Sequence, residues 1–409
     1  MGLPSTQRVP LHVLGWMFLL SESAGTPFNF VGGVSLRENV DERRLDRALR
    51  QVTRDLPPFS WRLERGLSEA WFRPGRSGPK RWPLTRLGRR FDLRREPPVR
   101  IYVHGPHLLG EASHVFCDGH GLLSYMNRVL ALYLDVEPPP LPSLSSEDPI
   151  RAIVGDPSQH EAPPRFGRAP YRIAPQPRAR KRWSLTLTLN YERLRRVSGR
   201  LGTSRRDLLL ALYLLALGEQ RARPGRALRL NAFMPENLRE RFGVDSLFNC
   251  CGGLVLPLEL APSPDLGQLL SSIRQERQGQ SGDAFHLRSL AGLVGAFGGD
   301  SFRRIPFALK QAGARLVSGT FSEQVQTELV TDVGTGVAHP RIAPHLARVF
   351  AIPAVKHTRW CSFGYGGVGE TYCCSFRLRS ADAKIPAAFA RRLRALDPDL
   401  IVGAPLRFP

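Results

Sequence analysis

The sequence predicts an α+β protein of two lobes with a cleft between them, and three observations carry that prediction. A chain of 409 residues exceeds what one ordinary core holds. Strand-like and helix-like hydrophobic periods alternate along both halves. Between the halves, residues 136 to 182 lose any period and turn to proline and charge, in EPPPLPSLSSEDP and EAPPRFGRAPYRIAPQPRARKR. The expected division is a first lobe over 1–150, a linker over 151–182 and a second lobe over 183–409.

The elements follow in order. LHVLGWMFLL at 11–20 has only Arg8 before it and is short for a bilayer span, so it reads as a first strand of mature sequence leading into FNFVGGVSL. VDERRLDRALRQVTRDL has apolar residues at helical spacing, and PPVRIYVHGPHLLGEASHVF returns to strand. The stretch ASHVFCDGHG at 112–121 then meets GLLSYMNRVLALYLD, whose apolar residues at 122, 123, 126, 129, 130 and 133 form one helical face. His114 and Asp118 therefore lie in a strand-to-helix turn. Past the linker, WSLTLTLN alternates as a strand and YERLRRVSGRLG is helical up to Gly202. TSRRDLLLALYLLALGEQ is a nearly all-apolar, buried helix with Thr203 as its expected N-cap. LRLNAFMPENLRERF gives a strand and turn, FNCCGGLVLPLEL a strand and DLGQLLSSIRQERQ a helix, with no direct sequence repeat between the lobes.

Composition narrows the function classes. Hydrophobic residues at 42% and charged residues at 23% fit a globular protein. The formal charge of +22 comes from 58 basic residues of which five are lysines, an arginine bias that a GC-rich genome writes throughout a protein. The arginines are dispersed, with no basic tail and no aromatic interleaving, which argues against nucleic acid as a partner. A basic surface equally suits acidic partners or phosphorylated cofactors. Six cysteines stand without metal-ligand spacing and read as free thiols in a cytosolic core, so no metal is expected. No G-x-S-x-G elbow occurs, and GAFGGD at 295–300 follows no strand that would make it a phosphate loop.

Ser113, His114, Val115, Phe116, Cys117, Asp118 and Gly119 resemble the H-H-x-x-x-D-G signature of chloramphenicol acetyltransferases, peptide-synthetase condensation domains and related acyltransferases, with Ser113 in place of the first histidine. The resemblance extends over roughly residues 15 to 400. It implies two chloramphenicol-acetyltransferase-like lobes with a tunnel between them, and a catalytic role for the second histidine, here His114. FMPENLRERF is similar to the segment carrying a family arginine, which assigns Arg239 as the cation for Asp118. VTDVG at 330–334 is similar to a channel strand that often reads S-N-x-G, with Asp332 standing for asparagine. SFGYGG at 362–367 resembles the D-F-G-W-G of plant members and reads here as a glycine turn between strands. Ser113, Asn249 and Thr331 are candidate substrate-channel residues.

The chemistry suits these residue types. Moving an acyl group from a thioester to an alcohol or amine needs a base near neutral pH, which histidine supplies. Read from the residues alone, a packed core histidine remains the alternative for His114, and Asp118 is equally a helix N-cap. Gly119 is expected to permit close backbone approach as the helix begins. The expected function is thioester-dependent O- or N-acyl transfer in the cytoplasm. The donor would be an acyl group on coenzyme A or on the phosphopantetheine arm of an acidic carrier protein, with no tightly bound cofactor. Two alternatives stay open: a condensation-like domain that cyclises or condenses, and a catalytically silent relative that binds a carrier protein.

Overall fold

The computed structural model describes residues 8–22, 27–164, 183–221, 226–262, 264–317, 328–334, 338–354, 361–378 and 383–408, so the part of the expected linker over 165–182 lies outside the described residues. The first half supplies β1 (Val9–Pro10), α1 (Val13–Ser21), β2 (Asn29–Leu36), α2 (Glu42–Asp55), β3 (Arg62–Arg65), β4 (Ala70–Arg73), β5 (Val99–His104), β6 (His107–Ser113) and α3 (Gly119–Leu134). A short helix, α4 (Pro149–Val154), stands where no period was expected; its N-cap Asp148 accepts from the Ile150 and Arg151 backbone N–H groups. The second half runs β7 (Trp183–Asn190), α5 (Tyr191–Arg200), α6 (Arg205–Arg221), β8 (Leu228–Asn237), α7 (Arg239–Phe242), β9 (Cys251–Leu260), α8 (Leu266–Gln280) and α9 (Asp283–Gly298). It continues with α10 (Asp300–Arg304), α11 (Phe307–Val317), β10 (Glu328–Asp332), β11 (Leu346–Ile352), β12 (Cys361–Val368), β13 (Thr371–Leu378), α12 (Lys384–Leu396) and β14 (Leu406–Phe408).

The expected mixed α+β architecture is present, with one refinement. The second-lobe sheet, ordered β14-β7-β13-β12-β10-β8-β9, is mixed: β10 runs parallel to both β12 and β8. The first-lobe sheet, ordered β11-β2-β6-β5, is antiparallel throughout, because β5 and β6 form a hairpin and β11 joins β2 head to tail. Strand β11 comes from the second half of the chain, so the covalent order crosses from one sheet to the other and back. Across the contact between sheets, Tyr102, Leu109 and Phe350 of the first pack with Cys373 and Phe408 of the second.

Helix periodicity decided the amphipathic elements. In α2 the buried residues are Leu45, Ala48, Leu49 and Val52, one stripe, and Asp41 caps its N-terminus by accepting from the Arg44 N–H at 3.0 Å. Residues 208–217 of α6 are buried on every side, where the helix packs against α8 and α12.

Three expectations need correction. LHVLGWMFLL is mostly the helix α1, not a strand; a run buried nearly all round has no polar face to reveal its period. Helix α6 is capped by Ser204, whose hydroxyl accepts from the Asp207 N–H at 3.0 Å, and not by Thr203. SFGYGG lies inside β12, paired with β13 along its length, and is no turn. A side chain at Gly364 would meet the Ala351 carbonyl at 2.6 Å, so its glycine serves the close passage of β11 over β12.

Candidate functional site

Strand β6 ends at Ser113, and the chain turns through four residues before Asp118 caps α3, its Oδ1 accepting from the Gly121 N–H at 3.1 Å. His114 is held at the head of that turn by its own backbone, whose N–H donates to the Phe28 carbonyl at 2.9 Å. Its ring lies between Phe18, stacked at 4.6 Å and 18°, and Phe30, tilted at 4.2 Å. The residue keeps part of its surface open, but Nδ1 is enclosed and has no hydrogen-bond partner. Burial between the two rings lowers the His114 pKa to about 4, opposed by the Asp118 carboxylate, the Asn249 amide and the Cys117 backbone. At neutral pH the imidazole is therefore uncharged, the form a general base needs, though weaker as a base than an ordinary histidine.

Asp118 does not choose between cap and ion pair; it is both. Arg239 reaches it with two nitrogens, Nη1 to Oδ2 at 2.9 Å and Nη2 to Oδ1 at 3.1 Å, the bidentate fork that best matches a carboxylate. The Cys250 N–H donates to Oδ2 at 2.8 Å. Burial pushes the carboxyl pKa up, yet Arg239 and the Cys250 and Gly121 N–H groups together hold it below the usual carboxylate value. Arg239 also donates through Nε to the Ser246 carbonyl at 2.8 Å and through Nη2 to the Phe248 carbonyl. One guanidinium thus binds the first-lobe motif and the second-lobe segment 246–248 at once. Leu247 and Phe248 enter the first-lobe core, Phe248 against Phe116 at 5.5 Å and His12 at 4.4 Å.

The remaining candidates separate. Asn249 is brought to the site: its amide donates to the His114 carbonyl at 2.7 Å, and its Oδ1 is buried without a partner. Ser113 is fully buried, and its hydroxyl accepts from the Val115 N–H at 3.3 Å, inside the turn. Thr331 pairs with Gly364 in the second-lobe sheet, and no described contact joins it to His114, Asp118 or Arg239. Gly119 has open space where a Cβ would stand, which overturns its expected close approach. That role falls to Gly121, whose Cβ would run into the Leu247 carbonyl oxygen and lie 2.9 Å from the Cys117 Cβ. Gly121→Ala is therefore expected to cost about 1–3 kcal/mol in denaturant titration, with Gly119→Ala close to the parent. Equal stabilities would contradict this placement.

Sequence reading missed Phe18 and Phe30, the walls of the histidine. Phe30 had a signal, since FNF opens the strand β2 that pairs with the strand leading into the motif, with Asn29 opposite Ser113. Phe18 had none once its segment was read as a strand. The cysteines nearby are not poised as nucleophiles: burial raises the Cys117 thiol well above its ordinary value and pushes Cys250 up to about 11. Among the described residues no group of His, Cys, Asp and Glu could hold a metal ion, and no helix is long and apolar enough to cross a membrane.

No protein-family model and no curated protein sequence matches the chain. Solved structures do match it along nearly its whole length. Polyketide synthase associated protein 5 from Mycobacterium tuberculosis superposes with a TM-score of 0.63 at 16% identity, covering 97% of this chain and 99% of that one. The condensation domain of the Monacolin K polyketide synthase gives 0.57 at 15% identity, covering 98% and 100%. The starter condensation domain of rhizomide synthetase, solved in complex with C8-CoA, gives 0.57 at 14% identity, covering 97% and 96%. Identity this low carries the fold and nothing finer. With an antiparallel and a mixed sheet, and the Asp118–Arg239 fork bridging the two lobes, the chain has the two-lobed fold of condensation domains.

Proposed function

We propose that the protein is a thioester-dependent acyltransferase in which His114 is the general base. The observation that carries the reading is an uncharged imidazole at the junction of two lobes, partly open, with its turn clamped from both sides. Nε2 would take the proton of an acceptor hydroxyl or amine as that group attacks the thioester carbonyl. The tetrahedral intermediate would collapse by breaking the C–S bond, and the departing thiolate would recover the proton. The raised thiol pKa values near the site favour this direct transfer over an acyl-cysteine intermediate. A base of this kind contributes typically ~10²- to 10⁴-fold, and holding both substrates against it supplies much of the rest. A condensation-domain relative solved with C8-CoA supports a pantetheine thioester as donor. One observation favours the silent alternative: the His114 Nδ1 has no hydrogen-bond partner among the described residues, and Ser113 is buried where the resembling signature has a second histidine.

The direct test is intact-mass screening of pooled small alcohols and amines with acyl-coenzyme A and acyl-carrier donors. Turnover supports the reading, and its absence across the panel leaves the silent alternative. Once a donor pair is found, salt separates its members. A carrier docks through many exposed charge pairs, screened within a Debye length of ~10 Å at 0.1 M, whereas coenzyme A presents only a few phosphates. We expect carrier kcat/KM to fall more steeply with salt; a carrier advantage indifferent to salt would refute electrostatic docking.

The pH profile tests the base itself. Because burial lowers the His114 pKa to about 4, the acid limb of kcat/KM should lie below 6.5, the ordinary histidine value. Phe18→Ala admits water to one ring face, relieves the desolvation and should move that limb upward. A limb at the ordinary value in the parent, unmoved by the substitution, would remove His114 from the rate expression.

A further inference from the structure

Away from His114, a cavity of about 340 Å³ opens between β1, the β3–β4 turn, the segment at 146–151 and helices α9 to α11. Four cations line it: Arg8, Arg151, Arg303 and Lys310. No carboxylate among the described residues lies within ion-pairing distance of any of them. Arg151 donates to the Gly298 carbonyl, and Arg8 lies over the Trp71 ring at 4.7 Å. Lys310 is only 5% exposed; its ammonium sits 4.6 Å from the Trp16 ring and 4.3 Å from Phe302, with the Ser68 carbonyl as its one hydrogen-bond acceptor among the described residues. Two carboxylates share the lining. Asp148 is taken up by the Val13 and Ile150 backbone N–H groups, at 2.7 and 3.0 Å, and Glu69 is exposed. Glu69 acts on Lys310 through space without pairing with it, and a buried ammonium with donors left over is costly unless an anion completes it.

The unpaired cations and the apolar wall of Trp16, Trp71 and Phe297 point to a second binding site, and we propose that this cavity takes a small organic phosphate. The site is separate from the one proposed for acyl transfer. Trp16 faces the cavity while Phe18, two residues on and so about 200° around the helix, stacks on His114. Helix α1 is the wall between them, and a ligand gripping Trp16 and Lys310 also steadies the helix that holds the histidine ring.

Calorimetric titration of the full chain at physiological salt tests this with inorganic phosphate, adenosine 3′,5′-bisphosphate and 4′-phosphopantetheine, against unphosphorylated pantetheine. We expect saturable binding of one or both organic phosphates, tighter than that of inorganic phosphate and of pantetheine. Arg303→Gln, Arg151→Gln and Lys310→Met should each weaken it at least about tenfold, equivalent to ~1.4 kcal/mol, and His114→Ala should not. Arg303 is exposed, so its substitution keeps the test decisive if Lys310→Met fails to fold. No saturable binding, or affinity unchanged in the arginine variants, would show only the general pull of a chain of charge +22 and overturn the proposal. Loss of binding in His114→Ala would place the phosphate in the other site and overturn it equally.

Discussion

Asp118→Ala is expected to destabilise the protein by about 3–5 kcal/mol, the cost of leaving a buried charge without its partner. The figure is large because one side chain serves three elements. Its loss strands the Arg239 guanidinium, frees the Cys250 N–H and uncaps α3 at Gly121. Arg239→Ala should cost a comparable amount, since it abandons the Asp118 carboxylate and releases the Ser246 and Phe248 carbonyls. The double change should cost less than the sum of the two, because the second substitution removes a charge that the first had already stranded. The Asp118 pKa is held down in the folded protein, so this stabilisation is present above the ordinary carboxylate range and is lost only as pH falls through the depressed value. Urea titrations of the four proteins measure all of this. If Asp118→Ala unfolds where the parent does, or if the costs simply add, the fork does not join the lobes.

The same fork shows what the sequence could reveal. The partnership of residues 118 and 239, 121 positions apart, was reachable because a carboxylate at a buried turn demands a cation, and a resemblance pointed to one. The amphipathic helices were legible for a simpler reason: each buries one face and writes its own period, as α2 does. Where burial is complete the period vanishes; its length still marked α6 as a helix, whereas the short run of α1 was misread as a strand, taking Phe18 out of view. Glycine was misassigned for a related reason. Sequence shows that Gly119 and Gly121 lack side chains but not which of them Leu247 will approach. Pairing of β11 with β2 was beyond reach as well, since Val349 meets Val34 across more than three hundred residues and nothing local encodes it.

The second large effect falls on His114. The ring packs between Phe18 and Phe30, yet its residue keeps open surface and its Nδ1 makes no hydrogen bond that the fold would miss. Truncation removes two ring contacts, worth about 0.5–1.5 kcal/mol each, while also removing the group proposed to accept the acceptor's proton. A core histidine would show the opposite balance, with stability lost and activity lost only in proportion to the folded fraction. The measurement that decides between them is kcat/KM and urea midpoint determined together for the parent and His114→Ala, with a donor and acceptor found by the mass screen. The account predicts a folded variant, destabilised by no more than a few kcal/mol, whose kcat/KM falls at least ~10²-fold. A folded His114→Ala protein that transfers acyl groups at the parental rate would contradict it.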